Sequence, residues 1–121
     1  MTRRELYDKI TPCGTLSYWN MVYLIESLVF EEETVRYTIL DRIHQNGRLS
    51  VQDWKLVFRN IEWTANSPVD ENTALEWLNG KCSLTRAELK LLLEYAQFND
   101  GSNPTIIISQ QGDFIITEKK Y

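Results

Sequence analysis

Few side chains in this sequence have the type and spacing that chemistry requires. There is one histidine, His44, and there are two cysteines, Cys13 and Cys82, far apart along the chain. Zinc sites draw on short recurrent spacings such as Cys-x-x-Cys or His-x-x-x-His, and neither occurs. A Ser-His-Asp or Cys-His pairing is conceivable on the count of one histidine, yet no nucleophile-elbow pattern accompanies it. His44, next to Asn46-Gly47, reads as a surface histidine near a helix end. Both cysteines read as reduced thiols, and nothing in their spacing shows that they meet.

The stretch Arg42 to Asp53 has the outline of a calcium loop, with Gly47 at its sharp turn and Asp53 at its last position. Arg42 and His44, however, fall at the first and third positions, where the ion needs oxygen donors. A tight turn into a capped helix accounts for the same residues. Glu31-Glu32-Glu33 reads as a solvated run that favours a following helix through its dipole. No glycine-rich phosphate loop is present. The expectation is therefore a protein that is not an enzyme, with no catalytic residue, no cofactor and no metal.

The scaffold around these residues is bounded by length and composition. The 121 residues suit one domain, 1–121, and 43% hydrophobic with 25% charged residues is globular composition. Seventeen acidic against 13 basic residues give a net charge of -4, which argues against nucleic acid and for a basic protein as partner. No apolar run reaches the roughly 18–20 residues of a membrane span. Met1-Thr2-Arg3-Arg4-Glu5 is not followed by the apolar core of a signal peptide. A cytoplasmic location follows as the expectation. No internal repeat with a period of about 20–50 residues is evident.

Periodicity predicts five to six helices up to about residue 98. Thr2 with Glu5 suggests a capped helix over 3–10. Tyr18, Val22, Ile25 and Val29, widened by Trp19 and Leu28, suggest a second over 17–30. Over 33–45 the spacing of Val35, Ile39 and Ile43 favours a helix, although Thr34 to Ile39 is rich in strand formers and Asn46-Gly47 is a hairpin signal. Ser50 with Asp53 caps a helix carrying Trp54, Val57, Phe58 and Ile61. A shorter helix spans 71–78, and the last is capped by Ser83 or Thr85 and buries Leu89, Leu92, Leu93 and Ala96. The period then changes: Thr105 to Ser109 and Phe114 to Thr117 predict a C-terminal β-hairpin at about 104–118. The fold class expected is α+β, mostly helical.

Asn72 to Lys81, with Leu84 and the helix through Ala96, resembles part of the phage-repressor-type helix-turn-helix proteins. That resemblance implies a DNA-binding regulator, of degenerate form here. Pro68-Val69-Asp70 stands where the family's preceding helix belongs, and Asp70, Glu71 and Glu76 repel phosphate.

The aromatics are the remaining signal. Most lie on apolar stripes and belong in a core. Trp63 falls just beyond a helix and before a polar loop, and Glu62, Trp63, Asn66, Asp70 and Glu71 are the candidate partner-binding residues. An exposed tryptophan among acidic groups can anchor an interface; a tryptophan that closes the core has the opposite signature, a large loss of stability on truncation. The function expected is direct association with a partner protein, in the manner of an inhibitor or immunity-type regulator, with helix-turn-helix DNA binding as the alternative.

Overall fold

Six stretches of the chain carry helical apolar spacing, four of them opened by a side-chain cap, and all six are helices in the computed structural model, which describes residues 2–80 and 83–99. They are α1 (Arg3–Asp8), α2 (Tyr18–Ser27), α3 (Glu33–Asn46), α4 (Val51–Asn60), α5 (Glu71–Trp77) and α6 (Arg86–Tyr95). The hydroxyl caps do what their sequence suggests. Thr2 Oγ1 accepts the Glu5 amide at 3.1 Å. Ser50 and Asp53 form a reciprocal capping box at 3.2 and 3.1 Å, as do Thr85 and Glu88 at 3.2 and 2.8 Å. The ambiguous stretch is helical. Gly47, at φ 72°, ends α3 in the left-handed region and donates its amide to the Ile43 carbonyl at 2.7 Å, so Asn46-Gly47 is a helix stop and not a hairpin turn.

The expected α+β class is corrected. The described residues form a helical fold without a strand, and extended pairing among them is limited to three isolated bridges. The class expectation rests on strand-forming residues beyond 103, whereas the core of the described residues is built from helices and the turns that leave them. The hairpin expected at about 104–118 lies outside the described residues, as does Cys82; Cys13 is exposed and free. No helix among the described residues is long and apolar enough to cross a membrane.

A second correction concerns repeats. The helices form three equivalent pairs, α1–α2, α3–α4 and α5–α6. Leu16, Leu49 and Leu84, spaced 33 and 35 positions apart, each precede an N-cap hydroxyl: Ser17, Ser50 and Thr85. The same offsets relate Met21, Trp54 and Leu89; Ile25, Phe58 and Leu93; and Leu28, Ile61 and Ala96, all buried. In the first helix of each pair they relate Leu6, Ile39 and Ala74, also buried. Apart from the three leucines, what recurs is burial and cap chemistry and not residue identity, which hides the period from a reading of the letters.

The three pairs close into a ring. After α2, α4 and α6 the backbone turns extended, with ψ of 145°, 158° and 145° at Leu28, Ile61 and Ala96. The Val29 amide then donates to the Gln97 carbonyl at 3.0 Å, the Gln97 amide to Glu62 at 2.9 Å, and the Glu62 amide to Val29 at 3.0 Å. Outside that triangle the amides of Glu31, Thr64 and Asn99 donate to the carbonyls of Asn60, Tyr95 and Ser27, each at 2.8 Å. The bridges Leu28 to Phe98, Phe30 to Ile61 and Trp63 to Ala96 keep the same cyclic order. Each extended segment thus finds partners for its backbone groups without a sheet.

Two junctions of the ring carry an arginine. Arg3, only 1% exposed, donates to the carbonyls of Leu93 and Ala96 at 2.9 and 2.8 Å, with its guanidinium 3.9 Å over the Phe98 ring. Arg36, at the equivalent place in α3, donates to the Leu28 carbonyl at 2.7 Å and lies 5.3 Å over Phe30. In each case the cation meets the negative end of a helix of the preceding pair.

Candidate functional site

Among the described residues, the most exposed large apolar side chains are Trp19, 75% exposed, and Tyr37, 62% exposed. Trp19 opens α2, and Tyr37 lies on the outer side of α3. A chain of contacts leads from one toward the other. The Trp19 ring meets Tyr18 edge to face at 4.9 Å, and the Tyr18 hydroxyl lies 3.0 Å from His44 Nδ1. Tyr37 stands seven residues before His44, on the same side of α3 and about 10 Å along its axis. On α2 the same outer face continues through Tyr23 and Glu26 by i, i+4 and i+7 spacing.

The ring of repeats supplies an internal control. Trp19 corresponds to Gln52 in the second pair and Ala87 in the third, and Tyr37 corresponds to Arg4 and Asn72. All four counterparts are exposed, and none is a large apolar residue. The scaffold therefore folds these positions without an aromatic group in two of three cases. The aromatics of the α2–α3 face are extra to the architecture.

Acidic groups surround this face. Glu26, Glu31, Glu32, Glu33 and Asp41 are exposed on α2, α3 and the turn between them. Arg36 is turned inward to the Leu28 carbonyl and pairs with one of them, Glu33, at 3.4 Å, which leaves the others unpaired by it. Arg42 is the exposed cation among them.

The five residues expected at the partner surface stand along one connection, from the end of α4 into α5, and most of them do structural work. Glu62 is exposed, and its backbone forms one corner of the hydrogen-bond triangle. Trp63 is half-buried and not the exposed anchor its sequence setting suggests. It packs on Phe58 and Trp77 at ring distances of 6.4 and 6.5 Å, and its indole nitrogen is buried without a partner. Asn66 is exposed and holds a left-handed turn at φ 66°. Asp70 caps α5 by accepting the Thr73 amide at 2.9 Å, and hydrogen bonds from Thr73 hold its carboxyl below the ordinary range. Glu71 is exposed in the first turn.

Trp19 belongs, by its spacing, with the buried stripe of α2. The structure turns the helix so that Met21, Leu24 and Ile25 face the core, and Trp19 is left outside. The signal that locates it is the alignment of Leu16-Ser17 with Leu49-Ser50 and Leu84-Thr85, which places it beside Gln52 and Ala87. Likewise, the segment that resembles a helix-turn-helix is the pair α5–α6, one of three equivalent pairs, and α5 has only seven residues. Among the described residues no three histidine, cysteine or carboxylate side chains converge as metal ligands. Compared with family models, curated proteins and solved structures, the chain matches none.

Proposed function

We propose that this chain is a non-enzymatic binding protein that associates directly with a partner protein through the outer face of α2 and α3. The observation that carries the reading is the exposure of Trp19 and Tyr37 at positions where the other two repeats place Gln52, Ala87, Arg4 and Asn72. Large amphipathic aromatics are the side chains that most often dominate an interface. The surrounding carboxylates favour a basic partner and speed its encounter more than they tighten the complex. Stoichiometric association of this kind is how inhibitors and immunity-type proteins act.

The test uses the repeats as matched controls. A photo-cross-linking phenylalanine analogue is placed at position 19, 37, 52, 87 or 66 in cells that make the protein. One discrete protein adduct from positions 19 and 37, with none from 52 and 87, is expected. An adduct from position 66 alone would move the interface to the connection between α4 and α5. Equal adducts from all positions, or none from 19 and 37, would remove the proposal. Trp19→Ala should cost about 2 kcal/mol or more in binding the captured partner, while changing stability by no more than about 0.5 kcal/mol.

A further inference from the structure

The pole of the ring opposite the hydrogen-bond triangle holds a cavity of about 420 Å³. It lies where the three pairs converge, because equivalent residues from all three line it. Leu16, Leu49 and Leu84 come from the turns, and Met21, Trp54 and Leu89 from the first turns of α2, α4 and α6. These six side chains are buried and make an apolar floor. The volume falls within the range of small-molecule sites, roughly 300–1,000 Å³, which pair such floors with a few polar groups. One wall is fixed: a Cβ added to Gly14 would come within 2.6 Å of the Leu84 carbonyl, so these two turns are already in contact.

The rim is polar and unequal. The residue before each leucine faces this mouth, and the three are Thr15, Arg48 and Ser83. Among the described residues of the lining, Arg48 is the charged side chain and no carboxylate lies beside it. Its guanidinium is exposed and forms no ion pair among the described residues. The positive ends of three helix dipoles point at the same pole. Asp53 and Glu88 offset those of α4 and α6 from their capping boxes, while α2 has neutral Asn20 at that position and no side-chain cap on Ser17. An apolar floor under one guanidinium, two hydroxyls and an uncompensated helix start matches a molecule with an apolar body and one anionic end.

We infer that this axial cavity binds a small monocarboxylate whose aromatic ring or short acyl chain rests on the three leucines and Trp54, and whose carboxylate meets Arg48. The site is separate from the α2–α3 face and stands without it.

The probes are phenylbutyrate and phenylbutanol, which share a tail and differ in charge, titrated against the whole chain and followed by backbone amide NMR shifts. Phenylbutyrate should give saturable shifts centred on Leu16, Leu49 and Leu84, with a dissociation constant below about 1 mM. Arg48→Gln should weaken phenylbutyrate at least about tenfold and leave phenylbutanol unchanged, as expected for loss of a charge-assisted contact. Val51→Phe, which projects into the cavity from its lining, should abolish both. Because Arg48 is exposed, its variant keeps the test open should the phenylalanine variant fail to fold. No saturation by about 1 mM, shifts centred elsewhere, equal binding of acid and alcohol, or indifference to Arg48→Gln would each overturn the inference.

Discussion

Two junctions of the ring are closed by arginine and the third by tryptophan. Arg3 grips the end of α6 and covers Phe98; Arg36 grips the end of α2 and covers Phe30. At the end of α4 the equivalent position is Glu71, and the aromatic beneath is Trp63. There Trp77 and Phe58 enclose the indole, with Trp77 perpendicular to both rings at 6.5 and 5.8 Å. The same problem, a helix end meeting an extended turn inside a packed ring, has a polar answer twice and an apolar answer once. The polar answer supplies donors to helix-end carbonyls, and the apolar answer relies on area removed from water. It leaves the Trp63 indole nitrogen buried without an acceptor, as the second arginine junction leaves Arg36 Nε.

The largest expected effect tests the polar answer. Arg3→Ala removes two charge-assisted hydrogen bonds and a stacked cation from a nearly closed site, leaving the Leu93 and Ala96 carbonyls without those donors. A loss of about 3–5 kcal/mol is expected by denaturant titration, set by the cost of stranding buried polar groups. Arg36→Ala removes one hydrogen bond, a longer ring contact and a solvent-screened ion pair with Glu33 at a partly exposed position, and about 1–2 kcal/mol is expected. Equal losses at the two sites would show that the junctions do not differ in burial as the geometry requires.

The tryptophan junction is tested next. Trp63→Ala should cost about 3 kcal/mol, toward the low end for aromatics because the residue is half-buried. Trp63→Phe installs the side chain that the other two junctions use and deletes the unpaired indole donor. Thermal melts should place it within about 1 kcal/mol of the parent. A phenylalanine variant as unstable as the alanine one would mean that the indole fills space no smaller ring can fill.

This contrast also explains what could be read from the letters. Helix starts were legible because a hydroxyl and a carboxylate three residues later act locally, as at Ser50 with Asp53. The apolar faces of α4 and α6 were legible for the same reason. The ring was not, because its closing bonds join Val29, Glu62 and Gln97 through their backbones alone, with no part taken by the side chains. Nothing near Arg3 in the sequence marks its role, since its partners lie 90 and 93 residues away. At the candidate site, the composition pointed to an acidic, tryptophan-bearing surface and favoured Trp63 over Trp19. The two differ only in helix rotation and in what packs above them, neither of which is encoded nearby.

A smaller effect separates the helix ends by pH. Glu94 of α6 is buried, while its counterparts Glu26 and Arg59 in α2 and α4 are exposed. Burial raises its carboxyl above the ordinary 4.5, and a hydrogen bond from Tyr95 opposes this in part. The folded state therefore holds the proton more firmly than the unfolded one. The stability this contributes is full below 4.5 and is lost as pH rises through the folded-state value. Glu94→Gln should melt higher than the parent at neutral pH, and the gap should vanish below about pH 4. A gap independent of pH would assign the effect to packing instead.

The smallest expected effect is the most discriminating. Glu71→Arg gives the third junction the residue type that closes the other two. If the seat were open, the new guanidinium would reach the end of α4 and cover Trp63, with a gain of about 1–2 kcal/mol from the charge-assisted bond and the ring contact. The structure argues for almost none. Trp77 already stands over Trp63 and Phe58, and the connection from Thr64 to Asp70 makes this repeat two residues longer than its neighbour. Glu71 also favours the start of α5 through the helix dipole, an advantage of about 0.3–1 kcal/mol that an arginine reverses. A denaturant midpoint unchanged or slightly lowered is therefore expected. A rise of more than about 1 kcal/mol would show that the tryptophans are a patch over a vacant arginine seat and not an equivalent way of closing the ring.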